Sequence, residues 1–420
     1  MKRVIFHIDV NSAFLSWEAV YRVYHLGAKT DLREKIAAVG GDMAMRHGII
    51  LAKSIPAGKY GIKTGESIVE AKQKCPQLML VPPNYTLYDT CSRAFMDILR
   101  QYSPDVEQYS VDEAFVDMTG TEGLWGDPVD AANRIREQIR DELGFTVNIG
   151  VSENKLLAKM ASDFRKPDRV HTLWKHEIPA RMWPLPVSEL FFVGRATAKK
   201  LFALGIRTIG DLAAADPVLL RNHLKKQGEI IWGFANGTDV SVVQSEPPAN
   251  KGYGNSTTIA FDVCDGSVAR LVLLSLAETV GMRLREAGVR AEVIAVGIKS
   301  FDLSYKSHQM TLRNPTNITE EIYRYACLLF DRLWDGIPIR HLGIHTSRIR
   351  DGCNMRQMDM FDDTDYEKLE KLDMTVDQIR QRYGIDSVRR AVFVNSRIDH
   401  MGGGISREKR TVDYTKIKID

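Results

Sequence analysis

The chain has 420 residues, 44% of them hydrophobic and 26% charged, which excludes a fibrous, disordered or disulfide-stapled small protein and leaves room for three or four folded units. A formal net charge of +3 is too small to argue for a nucleic-acid partner by itself, so such a partner has to be read from local clusters. Five cysteines, Cys75, Cys91, Cys264, Cys327 and Cys353, form no CxxC pair, and no apolar run reaches the ~18 residues of a membrane span. With MKRVIFHIDV too short for a signal segment, a cytoplasmic protein with isolated thiols and no membrane contact is expected.

In chain order, Val4 to Val10 reads as a buried strand that carries Asp9, and the helix after it has Ser12 as candidate N-cap and Gly27 as its stop. The Gly- and Lys-rich stretch GGDMAMRHGIILAKSIPAGKYGIKTGES suggests a small irregular subdomain. Helical periodicity follows over Tyr85 to Tyr102, strand character over Val106 to Met118, an amphipathic helix over Pro128 to Leu143, a strand over Phe145 to Val151 and a helix over Asn154 to Phe164. Residues 175 to 240 look all-helical, and SVVQSEPPANKGYG is the best linker in the chain. Beyond it, elements from Tyr253 to Ser347 spell a second βαββαβ unit. The remainder has an acidic loop, one helix near Tyr366 to Tyr383 and a polar end containing MGGG that is expected to fray.

The strongest chemical signal is YSVDEAFVDM, where Asp112 and Glu113 interrupt an apolar strand-like run. Buried acids are costly unless a cation compensates them. Neighbouring side chains on a regular strand face opposite ways, so both acids reach one site only at a strand end or bend, with Asp9 alongside. Three carboxylates around one cavity suit divalent magnesium; a surface hairpin with solvated acids, or a buried pairing with arginine, is the competing reading of the same residues.

FHIDVNSAF, YSVDEAFVDMTG and NIGVSENKLLAKMASDFRKPD stand in the order and spacing of the Y-family DNA polymerases, and the chain resembles the bacterial DinB/UmuC group from residue 2 to about 350. The resemblance implies an α+β multidomain right hand: ferredoxin-like palm at 1–12 and 84–173, small fingers at 13–83, helical thumb with a helix-hairpin-helix at 174–240, linker at 241–252, βαββαβ little finger at 253–350 and a clamp-binding tail at 351–420. It also implies error-prone translesion synthesis, in which dNTPs are added to a primer 3′ end past damaged template without proofreading. The acids Asp9, Asp112 and Glu113, with the backbone carbonyl of Val10, are then the ligands of two Mg2+ ions. Phe14 takes the place of the steric gate against a ribose 2′-hydroxyl, and Lys166 that of a triphosphate contact. Either could instead be ordinary, Phe14 as a core residue and Lys166 as a solvated one. Lys155 and Lys159, four apart on one helix face, read equally as phosphate-facing or as a solvated stripe.

In AKSIPAGKYGIKTG the sequence departs from the family pattern, because Ile55 and Gly58 stand where relatives commonly carry a Tyr and an Arg that grip the triphosphate. Lys53, Lys59 or Lys63 are candidate substitutes, against a merely solvated basic loop. In LFFVGRATAKKLFALGIRTIGDL, Gly194 fits a helix-hairpin-helix phosphate site, while Phe192 replaces a glycine often found there. Residues 251 to 350 carry 13 basic and 10 acidic side chains, so Lys299 and Lys306 are DNA-backbone candidates through the resemblance and not through charge. Gln357, Met360 and Phe361 in QMDMF are similar to the peptide that docks bacterial polymerases on the sliding clamp. The expected partners are primer-template DNA, dNTP and that clamp, with the enzyme itself a monomer. Two rivals remain: a catalytically weak or silent DNA- and clamp-binding paralogue, motivated by Ile55 and Gly58, and a nucleotide cyclase, suggested by Gly40-Gly41-Asp42-Met43.

Overall fold

The computed structural model describes residues 3–41, 48–351, 356–357, 364–403 and 412–416. They divide into two compact units, one of residues 1–40, 50–247 and 411–420 and the other of 41–49 and 248–410.

The first unit runs β1 (Ile5–Val10), α1 (Ala13–His25), β2 (Ala37–Gly40), β3 (Ile50–Lys53), α2 (Ile55–Gly58), α3 (Ile68–Lys74), β4 (Met79–Val81) and α4 (Tyr85–Tyr102). It continues with β5 (Val106–Gln108), β6 (Glu113–Asp117), α5 (Glu122–Trp125), α6 (Pro128–Leu143), β7 (Val147–Ser152), α7 (Lys155–Ser162) and β8 (Val170–Thr172). Its main sheet is five-stranded in the order β5-β6-β1-β7-β8, antiparallel except for the β7/β8 pair. All six residues of the central β1 are buried, which is why IFHIDV is apolar on both faces apart from His7 and Asp9. Phe6 and Ile8 pack into the core with Phe95 and Leu99 of α4 and Ile135 and Ile139 of α6. The alternate residues Ile5, His7 and Asp9 face the other way, toward α7, whose Ala158 packs on Ile5 and Phe115.

Helix α7 can lie against the sheet because β7 presents Gly150 to it. A Cβ there would sit 1.9 Å from the Ala158 carbonyl oxygen and 2.6 Å from the Ser162 nitrogen, so any side chain would drive the helix off the strand. The stretch expected to be irregular contains a small sheet of order β3-β2-β4 with its own core of Ala38, Ile50, Ala57, Ile62 and Ile68. Strands of three or four residues separated by turns leave too little alternation to read. The run expected as one strand over Val106 to Met118 is broken by a bend, and Ser12 occupies the N-cap of α1 in a left-handed conformation without a side-chain capping bond. Five helices then pack together: α8 (Ile178–Arg181), α9 (Arg195–Ala203), α10 (Ile209–Ala214), α11 (Pro217–Leu224) and α12 (Lys226–Ala235).

The second unit contains β9 (Gly254–Val263), α13 (Gly266–Glu286), β10 (Val289–Ser300), β11 (Tyr305–Thr316), α14 (Thr319–Leu333) and β12 (Ile339–Asp351), a βαββαβ unit with sheet order β11-β10-β12-β9. Ile294, Val296, Ile298, Leu342 and Ile344 meet the helices through Val280, Leu329 and Phe330. A further helix, α15 (Tyr366–Tyr383), and the turns after it pack on α13. Glu278 of α13 is buried between Arg380 and Arg390, and Arg285 pairs with Asp373 and Asp377. Residues 399–403, expected to fray, instead bond to Ser275, Thr279 and Asn255, with His400 and Met401 buried; Gly404 lies outside the described residues.

Candidate active site

Strand register brings the predicted acids to one end of the five-stranded sheet. Asp9 is the Cα partner of Glu113, the first residue of β6, and the Val10 amide donates to the Asp112 carbonyl at 3.0 Å. Tyr109 and Ser110 both donate from their backbone nitrogens to the Glu113 carbonyl, which closes the bend and lets successive acids leave the chain outside regular strand geometry. Ser110 fixes Asp112 by donating from its hydroxyl to Oδ1 at 2.7 Å.

Each of the paired acids is also met by a cation. Lys166 Nζ donates to Asp9 Oδ2 at 2.5 Å and lies 2.9 Å from Asp163 Oδ1. Lys159 Nζ donates to Glu113 Oε2 at 2.8 Å. Burial pushes the Asp9 carboxyl up to about 6, only partly offset by Lys166, and the neighbouring Glu113 charge adds to the rise. Burial acts upward on Glu113 too, but the nearby His7 ring and the hydrogen bond and charge of Lys159 outweigh it and hold that carboxyl at about 2. At Asp9 burial thus outweighs the paired lysine, whereas at Glu113 the contacts outweigh burial.

Sequence reading missed the groups that set this contrast. His7 stands two residues before Asp9 and therefore on its face of the strand, fully buried; burial lowers it to about 4, so it is neutral at physiological pH. Its Nδ1 is 2.8 Å from Ser162 Oγ, and its Nε2 is 3.4 Å from Lys159 Nζ and 3.8 Å from Glu113 Oε2. Buried Asn148, opposite Asp9 on β7, donates to the carbonyls of Ser162 and Arg165 and so holds the turn that leads to Lys166. The alternation of FHIDV was the available signal for His7; nothing local marked Asn148. Lys155 and Lys159 are not a solvated stripe. Lys155 binds both oxygens of Glu107 at 2.7 Å, and Lys159 is 8% exposed, lying over the Tyr109 and Phe191 rings.

The donor set offered here, three carboxylates and the Val10 carbonyl, is all oxygen and fits a hard divalent cation such as magnesium. Among the described residues no three His, Cys, Asp or Glu side chains already converge on one point, because the carboxylates are turned to Lys166, Ser110 and Lys159.

Phe14, on the first turn of α1, is half-buried and stacks on Tyr88 of α4 with centroids 4.4 Å apart and an 8° interplanar angle. Tyr85 meets it edge-on. In the small sheet, Ile55 is 60% exposed and Lys59 is exposed at the end of α2. The Lys53 ammonium occupies the space beside Gly58, 3.6 Å from where a Cβ would be, so a lysine from β3 stands next to the position that lacks an arginine. Lys63 lines an open hollow of about 490 Å³ with Glu66, Glu70, Gln73 and Lys74.

Gly194 is the N-cap of α9, flanked by exposed Arg195, Lys199 and Lys200. Phe192 adopts φ 73°, the left-handed conformation that makes glycine common at such a turn; its ring packs against Phe191 and Phe234. Lys299 is half-buried at the end of β10, and exposed Lys306 on β11 pairs with Asp335 at 2.5 Å. The backbone of Gln357 exchanges hydrogen bonds with the Asn314 side chain while the residue itself is exposed. Met360 and Phe361 lie outside the described residues, as do Asp42 and Met43. No described helix is long and apolar enough to cross a membrane.

Comparison with known proteins finds matches over most of the chain. Residues 8–163 match the impB/mucB/samB family, residues 176–206 the IMS family HHH motif, and residues 250–360 the impB/mucB/samB family C-terminal domain. The chain is 43% identical to a DNA polymerase IV of Clostridium acetobutylicum over 94% of its own length and 99% of the relative's. It is 39% identical to a DNA polymerase IV of Acetivibrio thermocellus, with 94% and 99% covered, and 36% identical to DNA polymerase IV 1 of Bacillus subtilis, with 92% of each covered. Among solved structures, a Y-family DNA polymerase chimera, Dbh-Dpo4(243-245)-Dbh, superposes with a TM-score of 0.71 over 83% of this chain and 99% of the other, at 22% identity.

Proposed function

The chain belongs to the impB/mucB/samB family, and from that premise we propose how its residues serve as a DNA-directed DNA polymerase of the error-prone translesion type. Primer-template DNA and dNTP are its substrates. The observation that carries the reading is the register that pairs Asp9 with Glu113 beside the bend holding Asp112.

Asp9, Asp112, Glu113 and the Val10 carbonyl would hold two Mg2+ ions. Bound there, the ions supply the positive charge that eases deprotonation of the primer 3′-hydroxyl and stabilises the departing pyrophosphate. The protein's own part is to position and to neutralise. The bend aims Asp112, Lys159 keeps Glu113 ionised, and Lys166 and Lys53, with Lys59 as a further candidate, meet the triphosphate. Phe14, braced by Tyr88, lies under the sugar and excludes a ribose. Residues 1–12 and 84–173 act as palm, 13–83 as fingers, 174–240 as thumb and 253–350 as little finger. Gly194, Lys299 and Lys306 contact the DNA backbone, and the Gln357–Phe361 segment docks on a sliding clamp. The enzyme works as a cytoplasmic monomer.

Primer extension on a DNA template with magnesium, wild type beside Asp112→Ala, tests the reading. Template-directed extension by the wild type alone is expected. No extension by the wild type would favour a silent paralogue, and product from free nucleotides without template would favour a cyclase.

A further inference from the structure

Far along the chain, Tyr414 returns to the first unit and meets the helices that carry the two stacked rings of the sugar gate. Its hydroxyl lies 3.1 and 3.0 Å from the two carboxylate oxygens of Glu18, to which it donates, and accepts from Asn84 Nδ2 at 3.0 Å. Its ring packs against Tyr21, with centroids 5.2 Å apart, and the Arg22 guanidinium lies 5.8 Å from its centre. Glu18, Tyr21 and Arg22 form one face of α1 at helical spacing. Glu18 is fully buried and bonded to Arg22 at 2.9 Å, so Tyr414 is the second hydrogen-bond donor to a carboxylate enclosed by protein.

The bridge falls at one defined place in each helix. Glu18 stands one turn after Phe14 on α1. Asn84 caps α4, with its side-chain oxygen accepting from Leu87 and its carbonyl accepting from the Tyr88 nitrogen at 3.1 Å, one turn before the ring of Tyr88. A single hydroxyl therefore ties together the two turns whose next members, Phe14 and Tyr88, lie face to face at 4.4 Å. Phenylalanine at 414 would keep the ring contacts but leave Glu18 and Asn84 without this partner.

We propose that Tyr414 is a positioning residue for sugar selection, latching α1 to α4 through Glu18 and Asn84 so that Phe14 and Tyr88 keep their stack. This rests on the reading of Phe14 as the gate. The latch touches no reacting atom, so it governs how firmly the gate stands and not the transfer step.

Single-nucleotide incorporation is measured with a dNTP and the matching rNTP, as kcat/KM, on the full chain, Phe14→Ala, Tyr414→Phe and a chain ending at Val412, at a temperature well below each variant's melting onset. Phe14→Ala should raise the rNTP/dNTP ratio ~100-fold. Tyr414→Phe and the shortened chain should raise it ~5- to 10-fold, as expected when only part of the free energy of one hydrogen bond to a charged group reaches the gate, with dNTP incorporation close to wild type. A ratio relaxed by Phe14→Ala but unchanged by both Tyr414 variants would overturn the latch and leave the gate standing. Equal slowing with both nucleotides in the Tyr414 variants would also overturn it, since that is the mark of a merely structural contact. If Phe14→Ala leaves the ratio unchanged, the gate reading falls and the latch with it.

Discussion

The carboxylates at the sheet end and the lysines of the small β3-β2-β4 sheet are both charged groups assigned to one reaction, yet they are held in opposite ways. Asp9 and Glu113 are placed by backbone register, half or more buried, and bonded within 2.8 Å to lysines from α7 and the turn after it. Lys53, Lys59 and Lys63 project from short strands and turns at the surface, and Lys59 and Lys63 are exposed. The first group is preorganised by the fold; the second can adjust to what it binds. Chemistry that depends on charge placement is therefore expected to fail sharply when the first is altered and gradually when the second is.

Asp9→Asn gives the largest test of that difference. It should lower kcat for primer extension by ~1000-fold or more, the scale on which loss of a central electrostatic group is felt. The same change should raise the melting temperature of the metal-free protein at pH 7.5, because burial opposes ionisation of Asp9. A fall in both activity and stability would mean that Asp9 supports the fold and is not held at its expense. Lys53→Ala should be milder, raising the KM for dNTP ~10-fold with kcat nearly unchanged; equal kinetics would remove Lys53 from the substrate and leave Lys59 and Lys63 as the candidates.

The smallest expected effect is one of pH. Asp9 is raised from 3.8 to about 6, so the folded protein holds this proton more tightly than the unfolded chain does. That contribution to stability is present below about pH 4 and lost as pH rises through 6. Magnesium competes with the same proton, so the rise in melting temperature on adding it should grow from pH 5 to pH 7.5 and shrink in Asp9→Asn. A magnesium effect independent of pH would place the ion elsewhere.

That Asp9, Asp112 and Glu113 come to one end of the sheet was legible because a strand end and a bend leave local marks: alternation in FHIDV, and adjacent acids in an apolar run. The burial and pairing of two lysines were missed for a complementary reason. Spacing shows that Lys155 and Lys159 share a face of α7, but not that Gly150 lets that face sit on the sheet. Pairings over long separations were invisible. Glu278 with Arg380 and Glu18 with Tyr414 join residues 102 and 396 positions apart, and no periodicity links them. Each acid did carry a hint, since a glutamate inside an apolar helix face requires a partner. The hint says that a partner exists and not where in the chain it lies.

Gly150 carries a lesson for anyone scanning this gene by mutation. It bears no charge, binds nothing and sits on a strand away from the reacting atoms, yet the carbonyl of Ala158 comes within 1.9 Å of any side chain placed there. In a library of all substitutions, the position would tolerate no replacement and would score beside Asp9 and Glu113. A map of intolerance would thus merge chemistry with clearance, and only the purified variant's loss of fold as well as turnover would tell the two apart.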